Sequence, residues 1–206
     1  MGYTTDFWGE LTLSKPLDPI QYNYINQFSN TRRMRRDVNK LMELYKGKHG
    51  HPTPVDETPE GIYGKEGEYF VHYDGNCGQT EDASILDYNQ APGQMPYDAN
   101  IPFNTRYNES QRRIKEGECQ PGLWCQWVVN GDDPQTLTWD GGEKFYNYVE
   151  WLRYLIKHFF ERWDVKLNGE IRWQGEEPED MGLIVVNDNV VIPKYAKITF
   201  EESDEE

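Results

Sequence analysis

Four arginines, Arg32, Arg33, Arg35 and Arg36, fall within five consecutive positions of the stretch "NTRRMRRDVNK", in a 206-residue chain of formal net charge −15. A guanidinium is a planar, permanently charged fork that matches phosphate and carboxylate geometry, so such a cluster suits anion binding. The same charges have a plainer use at a helix end, where cations complement exposed carbonyls, or in ion pairs with the chain's own acidic body. Residues 1–48 hold eight Lys and Arg against five Asp and Glu, a net of +3, which leaves −18 for the remainder. A basic pole on an acidic body orients encounters with charged partners. Arg112 and Arg113 form a second pair able to join the first around a phosphate.

Other chemistries are poorly served. The chain has no glycine-rich phosphate loop ending in Lys-Ser/Thr, no GxSxG elbow, no HExxH and no dinucleotide fingerprint. "GNCGQ" sets Cys77 in a glycine-rich turn, but no partnering histidine is identifiable, and a turn explains the glycines equally well. His49 and His51 lie two apart in a loop, and five residues separate Cys119 from Cys125. No second ligand pair follows at zinc-site spacing, so neither a metal nor a cofactor is expected. His72 and His158 stand alone, where histidines are more often packed or solvated than catalytic. Three cysteines give no disulfide framework, although a Cys119–Cys125 bridge stays open, and a reducing cytoplasm is the expected compartment. No apolar run approaches the roughly 20 residues of a membrane span. The start "MGYTTDFWGELTL" lacks the basic and apolar regions of a secretory signal.

Elements that would position these residues can be read from periodicity. "TTDFWGELTL" alternates, with Phe7, Gly9, Leu11 and Leu13 on one face and Trp8, Glu10 and Thr12 on the other, as in a half-buried strand. Asp18-Pro19 reads as an N-cap and first helical residue, followed by Ile20, Tyr24, Ile25 and Phe28 at helical spacing. Val38, Leu41, Met42 and Tyr45 suggest a second, short helix. Residues 47–122 change character to Pro, Gly, Asn, Asp and Tyr, and form a loop-rich insertion in which only "GEYFVHY" looks like a strand. "PGLWCQWVV" and "TLTWD" read as a hairpin. In "EKFYNYVEWLRYLIKHFFERW" the stripe Phe145, Val149, Leu152, Ile156, Phe159 and Trp163 marks the clearest helix, widened by Tyr148, Trp151 and Leu155. "VKLNGEIRW" carries an Asn-Gly turn signal, "MGLIVVNDNVVI" a second hairpin, and "AKITF" a last strand.

The pattern predicts one α+β domain over residues 1–200: a mainly antiparallel sheet covered on one face by two main helices, with residues 201–206 as an acidic disordered tail. Mean hydropathy is only −0.90. Against that, seven Trp, fourteen Tyr and eight Phe supply a large aromatic core. Adjacent strand residues face opposite ways, so Trp124 and Trp127 are both candidate binding anchors.

Two stretches, "GYTTDFWGELTLSKPL…NTRRMRR" and "QPGLWCQW…WDGGEKFYNYVEWLRYLI…LNGEIRWQGE", resemble a group of uncharacterised small proteins of bacteriophages and some bacterial genomes. The resemblance covers the two ends; residues 91–118 look like extra material after Asp87-Tyr88-Asn89. It implies a viral or mobile-element origin and brings no activity. The leading expectation is therefore a non-enzymatic accessory protein of the bacterial host cytoplasm that docks a host or viral protein. One alternative is a nucleotide, phosphate or nucleic-acid binder or enzyme using the arginines. Another is a structural virion component.

Overall fold

A computed structural model describes residues 2–45, 56–72, 79 and 81–199 of the chain. Strand β1 (Thr5–Leu13) alternates as its sequence predicts, with Phe7, Leu11 and Leu13 buried and Trp8, Glu10 and Thr12 facing out. It lies centrally in a six-stranded sheet with β4 (Trp127–Val129), β5 (Thr136–Trp139), β6 (Leu167–Gly175), β7 (Met181–Asn187) and β8 (Val190–Tyr195). The order is β4-β5-β1-β6-β7-β8, and every neighbouring pair is antiparallel.

Helix α1 (Pro19–Asn30) begins where the Asp18-Pro19 signal places it. The Asp18 carboxylate accepts from the Ile20 and Gln21 amides, and the Gln21 side chain returns a bond to the Asp18 backbone. That reciprocal cap satisfies amides that a helix start would otherwise leave unpaired. Tyr24, Ile25 and Phe28 are buried, whereas Ile20 is exposed. Helix α5 (Tyr148–Leu155) is shorter than its stripe predicts, because Lys144 and Asn147 take left-handed backbone angles before it. Beyond it, a π-helical turn over Ile156–Phe160 accommodates one extra residue, so that Phe159 and Phe160 both turn inward. The inner sheet face, α1, α5 and the π turn share one aromatic-rich core cluster.

Three other expectations differ from the structure. The Asn168-Gly169 pair makes no turn, because β6 runs straight through it, paired with β1 over the whole span from Thr5↔Gly175 to Leu13↔Leu167. The tight turn lies at Asp188-Asn189, both at positive φ, where "NDN" predicts it. "GEYFVHY" is not a strand over its described residues 67–72, and residues 196–199 form no last strand.

The insertion holds more order than its composition suggests. Beside α2 (Val38–Leu44) stand α3 (Pro59–Tyr63), a two-stranded sheet of β2 (Arg35–Arg36) and β3 (Ile85–Asp87), and α4 (Phe103–Lys115). Val38, Leu41, Ile62, Tyr63 and Phe70 make a second, smaller core. Residues 46–55, 73–78, 80 and 200–206, with His49, His51, Cys77 and the acidic tail, lie outside the described residues. Among the described residues no helix is long and apolar enough to cross a membrane.

Two glycines let β1 and β6 approach closely. Gly9 sits at φ +104° and Gly169 at φ +135°; a Cβ on Gly9 would lie 2.6 Å from the Glu170 carbonyl oxygen, and one on Gly169 would lie 2.8 Å from that of Glu10. Gly9→Ala is expected to destabilise the fold by about 1–3 kcal/mol from backbone strain alone, read as a lower urea midpoint at unchanged slope.

Candidate functional site

The extended segment between α1 and α2 carries the arginine cluster, and all four guanidiniums engage acceptors of the chain itself. Arg32 donates to the Tyr88 carbonyl and lies 3.8 Å above the Tyr88 ring. Arg33, only 2% exposed, donates to the Thr31 carbonyl at 3.0 Å, Phe70 at 2.6 Å and Glu68 at 3.4 Å, over the Phe28 ring. Arg35 makes a two-pronged pair with Glu66 at 2.8 and 3.2 Å. Arg36 bonds Asp82 at 2.9 Å and Ser84 at 2.8 Å.

Backbone bonds follow the same path: the amides of Arg33, Arg35, Arg36 and Asp37 donate to the carbonyls of Leu123, Gln90, Glu66 and Ser84. The four side chains thus fasten one short segment to well-separated points of the insertion. Over residues 67–70 the chain turns instead of extending, with the Phe70 amide on the Gly67 carbonyl, and Arg33 caps the Glu68 and Phe70 carbonyls. Burial drives the Arg33 pKa down to about 10. Burial also opposes ionisation of Glu66 and Asp82, yet both stay below the usual carboxylate range. Bonds from Arg35 and the Gly93 amide outweigh it at Glu66, and those from Ser84 and Arg36 at Asp82.

His158 is a further fastener. Its Nε2 lies 3.1 Å from the Gly117 carbonyl oxygen, which only accepts, so Nε2 carries the proton. Nδ1 then accepts from the Tyr69 hydroxyl at 2.9 Å, and the ring stacks on Tyr154 at 4.0 Å. Burial holds the imidazole neutral, with its pKa lowered to about 4.

Arg112 and Arg113 project from α4 toward carboxylates of their own neighbourhood: Arg112 pairs with Glu109 and Glu116, and Arg113 lies 3.7 Å from Glu118. Arg113 also bears on Glu66, the partner of Arg35, and helps to hold that carboxyl low. Trp127 is wholly buried, its indole donating to the Tyr148 carbonyl at 2.9 Å and its ring edge-packed on Phe7 and Phe145, so it offers no exposed anchor. Trp124 is partly buried. Cys119 and Cys125 are free thiols, buried, with pKa values pushed up to about 11 and about 12 by that burial. Among the described residues, no group of three or more His, Cys, Asp and Glu could hold a metal.

Three exposed aromatic residues that sequence reasoning did not single out lie on and beside α4. Phe103 and Tyr107, 67% and 51% exposed, stack one turn apart with ring centres 5.8 Å apart. Tyr97 is 73% exposed, and Arg106 lies 4.7 Å from its ring centre. Between α4 and the 90–95 segment runs a groove of about 290 Å³ lined by Phe103, Tyr107, Arg106, Gln90, Met95 and Ile114, among others. Met95 is held there by a 3.1 Å bond from its amide to Ser110, and by a 2.8 Å bond from Gln90 Nε2 to its carbonyl. The Gln90 Oε1 is buried, and no donor among the described residues meets it. A buried acceptor without a partner costs about 1–3 kcal/mol. The sequence signal available was the Phe103/Tyr107 spacing of four.

Comparison with protein-family models, with curated proteins and with solved structures finds no match to this chain.

Proposed function

We propose that this chain is a non-enzymatic accessory protein of bacteriophage or mobile-element origin that docks a host or viral protein through the insertion. In this reading the six-stranded sheet, covered on one face by α1 and α5, is a scaffold, and the groove beside α4 is the recognition element. The observation that carries it is a pair of exposed, stacked rings, Phe103 and Tyr107, lining one groove beside α4. Aromatic rings supply large contact area at low entropic cost. The net charge of −15 favours encounter with a basic protein surface over a polyanion. Anion binding by the arginines is the weaker reading, because Arg32, Arg33, Arg35 and Arg36 would first have to leave internal acceptors.

The full chain, immobilised, is expected to capture a specific protein from bacterial lysate at low and at moderate salt. The double variant Phe103→Ala/Tyr107→Ala should weaken that capture by roughly 30-fold or more, as loss of aromatic hot spots does. Ile20→Ala, exposed on α1, should leave it intact. A chain that captures nothing specific at either salt, or a double variant that binds as the native chain does, overturns the reading.

A further inference from the structure

The sheet face opposite α1 and α5 is exposed, and its cross-strand register arranges it in two rows. One row reads Trp8, Arg172, Leu183, Lys194, and the next reads Glu10, Glu170, Val185, Ile192, each running across β1, β6, β7 and β8. Trp8 is 51% and Ile192 46% exposed, and Arg172 lies over the Trp8 ring at 5.6 Å. Glu10 and Glu170 stand directly opposite each other, and no cation among the described residues pairs with either. Like charges directly opposite on a sheet repel, so this face carries a destabilising contact that an external cation would relieve.

Addition of another strand at the β8 edge is not the way to cover it. The Ala196 amide bonds the Met181 carbonyl, which sets the phase of the β7–β8 ladder and turns the backbone groups of Val191, Pro193 and Tyr195 away from β7. Proline has no N–H to offer at that edge, and the Val191 carbonyl is met by Arg153 at 3.4 Å. The face is left open while the edge is blunted.

We propose that the occupant is a second copy of this chain, packed face to face about a twofold axis that runs across the strands between the two rows. Such an axis lays each row of one copy over the other row of its partner. Arg172 then meets the Glu170 position of the second copy, the Trp8 indole N–H meets Glu10, and Leu183 meets Val185. Each contact occurs twice, as an isologous interface requires. Aligned packing of two sheets about 10 Å apart accommodates these side chains. The unpaired Glu10–Glu170 couple thereby gains cations and donors that its own chain does not bring to it.

The pairing rule makes a test that other associations would not mimic. The native full chain is expected to sediment as a dimer at micromolar concentration. Glu170→Arg alone sets Arg172 against arginine, and Arg172→Glu alone sets Glu170 against glutamate, so each variant should lose dimer affinity on the order of tenfold or more. An equimolar mixture of the two restores both contacts and should regain a heterodimer near native affinity. Circular dichroism and melting curves confirm that each variant is folded. A native chain that stays monomeric across the concentration range, single variants that dimerise as well as native, or a mixture that does not recover, overturns the proposal.

Discussion

Arg36→Ala is expected to lose about 3–5 kcal/mol of stability, more than any surface substitution in this chain should. The Arg36 side chain is 1% exposed, ion-paired to Asp82 at 2.9 Å, and its guanidinium rests over the Phe70 ring at 4.6 Å. Truncation leaves the Asp82 carboxylate, itself largely covered, without its cation, and removes a bond to Ser84. The uncompensated buried charge, rather than the lost attraction, sets the size of the effect. Arg36→Lys should rescue only partly, because an ammonium cannot stack on the Phe70 ring as the planar guanidinium does. Denaturant melts of the two variants check both statements, and a loss below about 1 kcal/mol for alanine would mean the pair is merely a surface contact.

The second large effect is a loss of stability in mild acid. His158 ionises near pH 4 in the folded chain, against 6.5 ordinarily, because burial disfavours its charged form. Its folded pKa is depressed, so the unfolded chain takes up the proton first. The contribution is complete above about pH 6.5 and is lost progressively as pH falls toward 4. A difference of this size corresponds to roughly 3 kcal/mol across that interval. Glu66 and Asp82, also held below their ordinary values, add a loss of the same sign at lower pH. His158→Gln, which keeps a donor and an acceptor, should flatten stability between pH 6.5 and 4 while leaving the later acid loss in place. A native chain equally stable at pH 7 and pH 4.5 would contradict this.

Much of the sheet was legible in the sequence because its signals are local. Alternation in β1, the Asp18-Pro19 cap, the stripe from Phe145 to Trp163 and the Asp188-Asn189 turn each involve residues that touch near neighbours. The Asn168-Gly169 signal misled for a tertiary reason: nine consecutive pairings with β1 outweigh the preference of an Asn-Gly pair for a turn. Helix α4 was hidden because its face is polar and it rests on Glu–Arg spacings of three and four, with Ile114 its only fully buried residue. The arginine cluster was visible as a feature, but its partners were not. Glu66, Asp82 and Tyr88 lie 31, 46 and 56 residues from the arginines they hold. No local pattern reports such separations, and an acidic chain offers too many carboxylates to choose among.

The asymmetry of charge thus resolves inward: the positive segment after α1 fastens the insertion, and the insertion then presents Phe103 and Tyr107. Peptide-resolved amide hydrogen exchange on the folded Arg33→Met/Arg36→Met variant tests this most directly. Residues 62–70 and 82–95 should lose protection by several orders of magnitude, while β1, β6 and β7 exchange as slowly as in the native chain. If those two segments keep native protection without the guanidiniums, the arginines are not what fastens them.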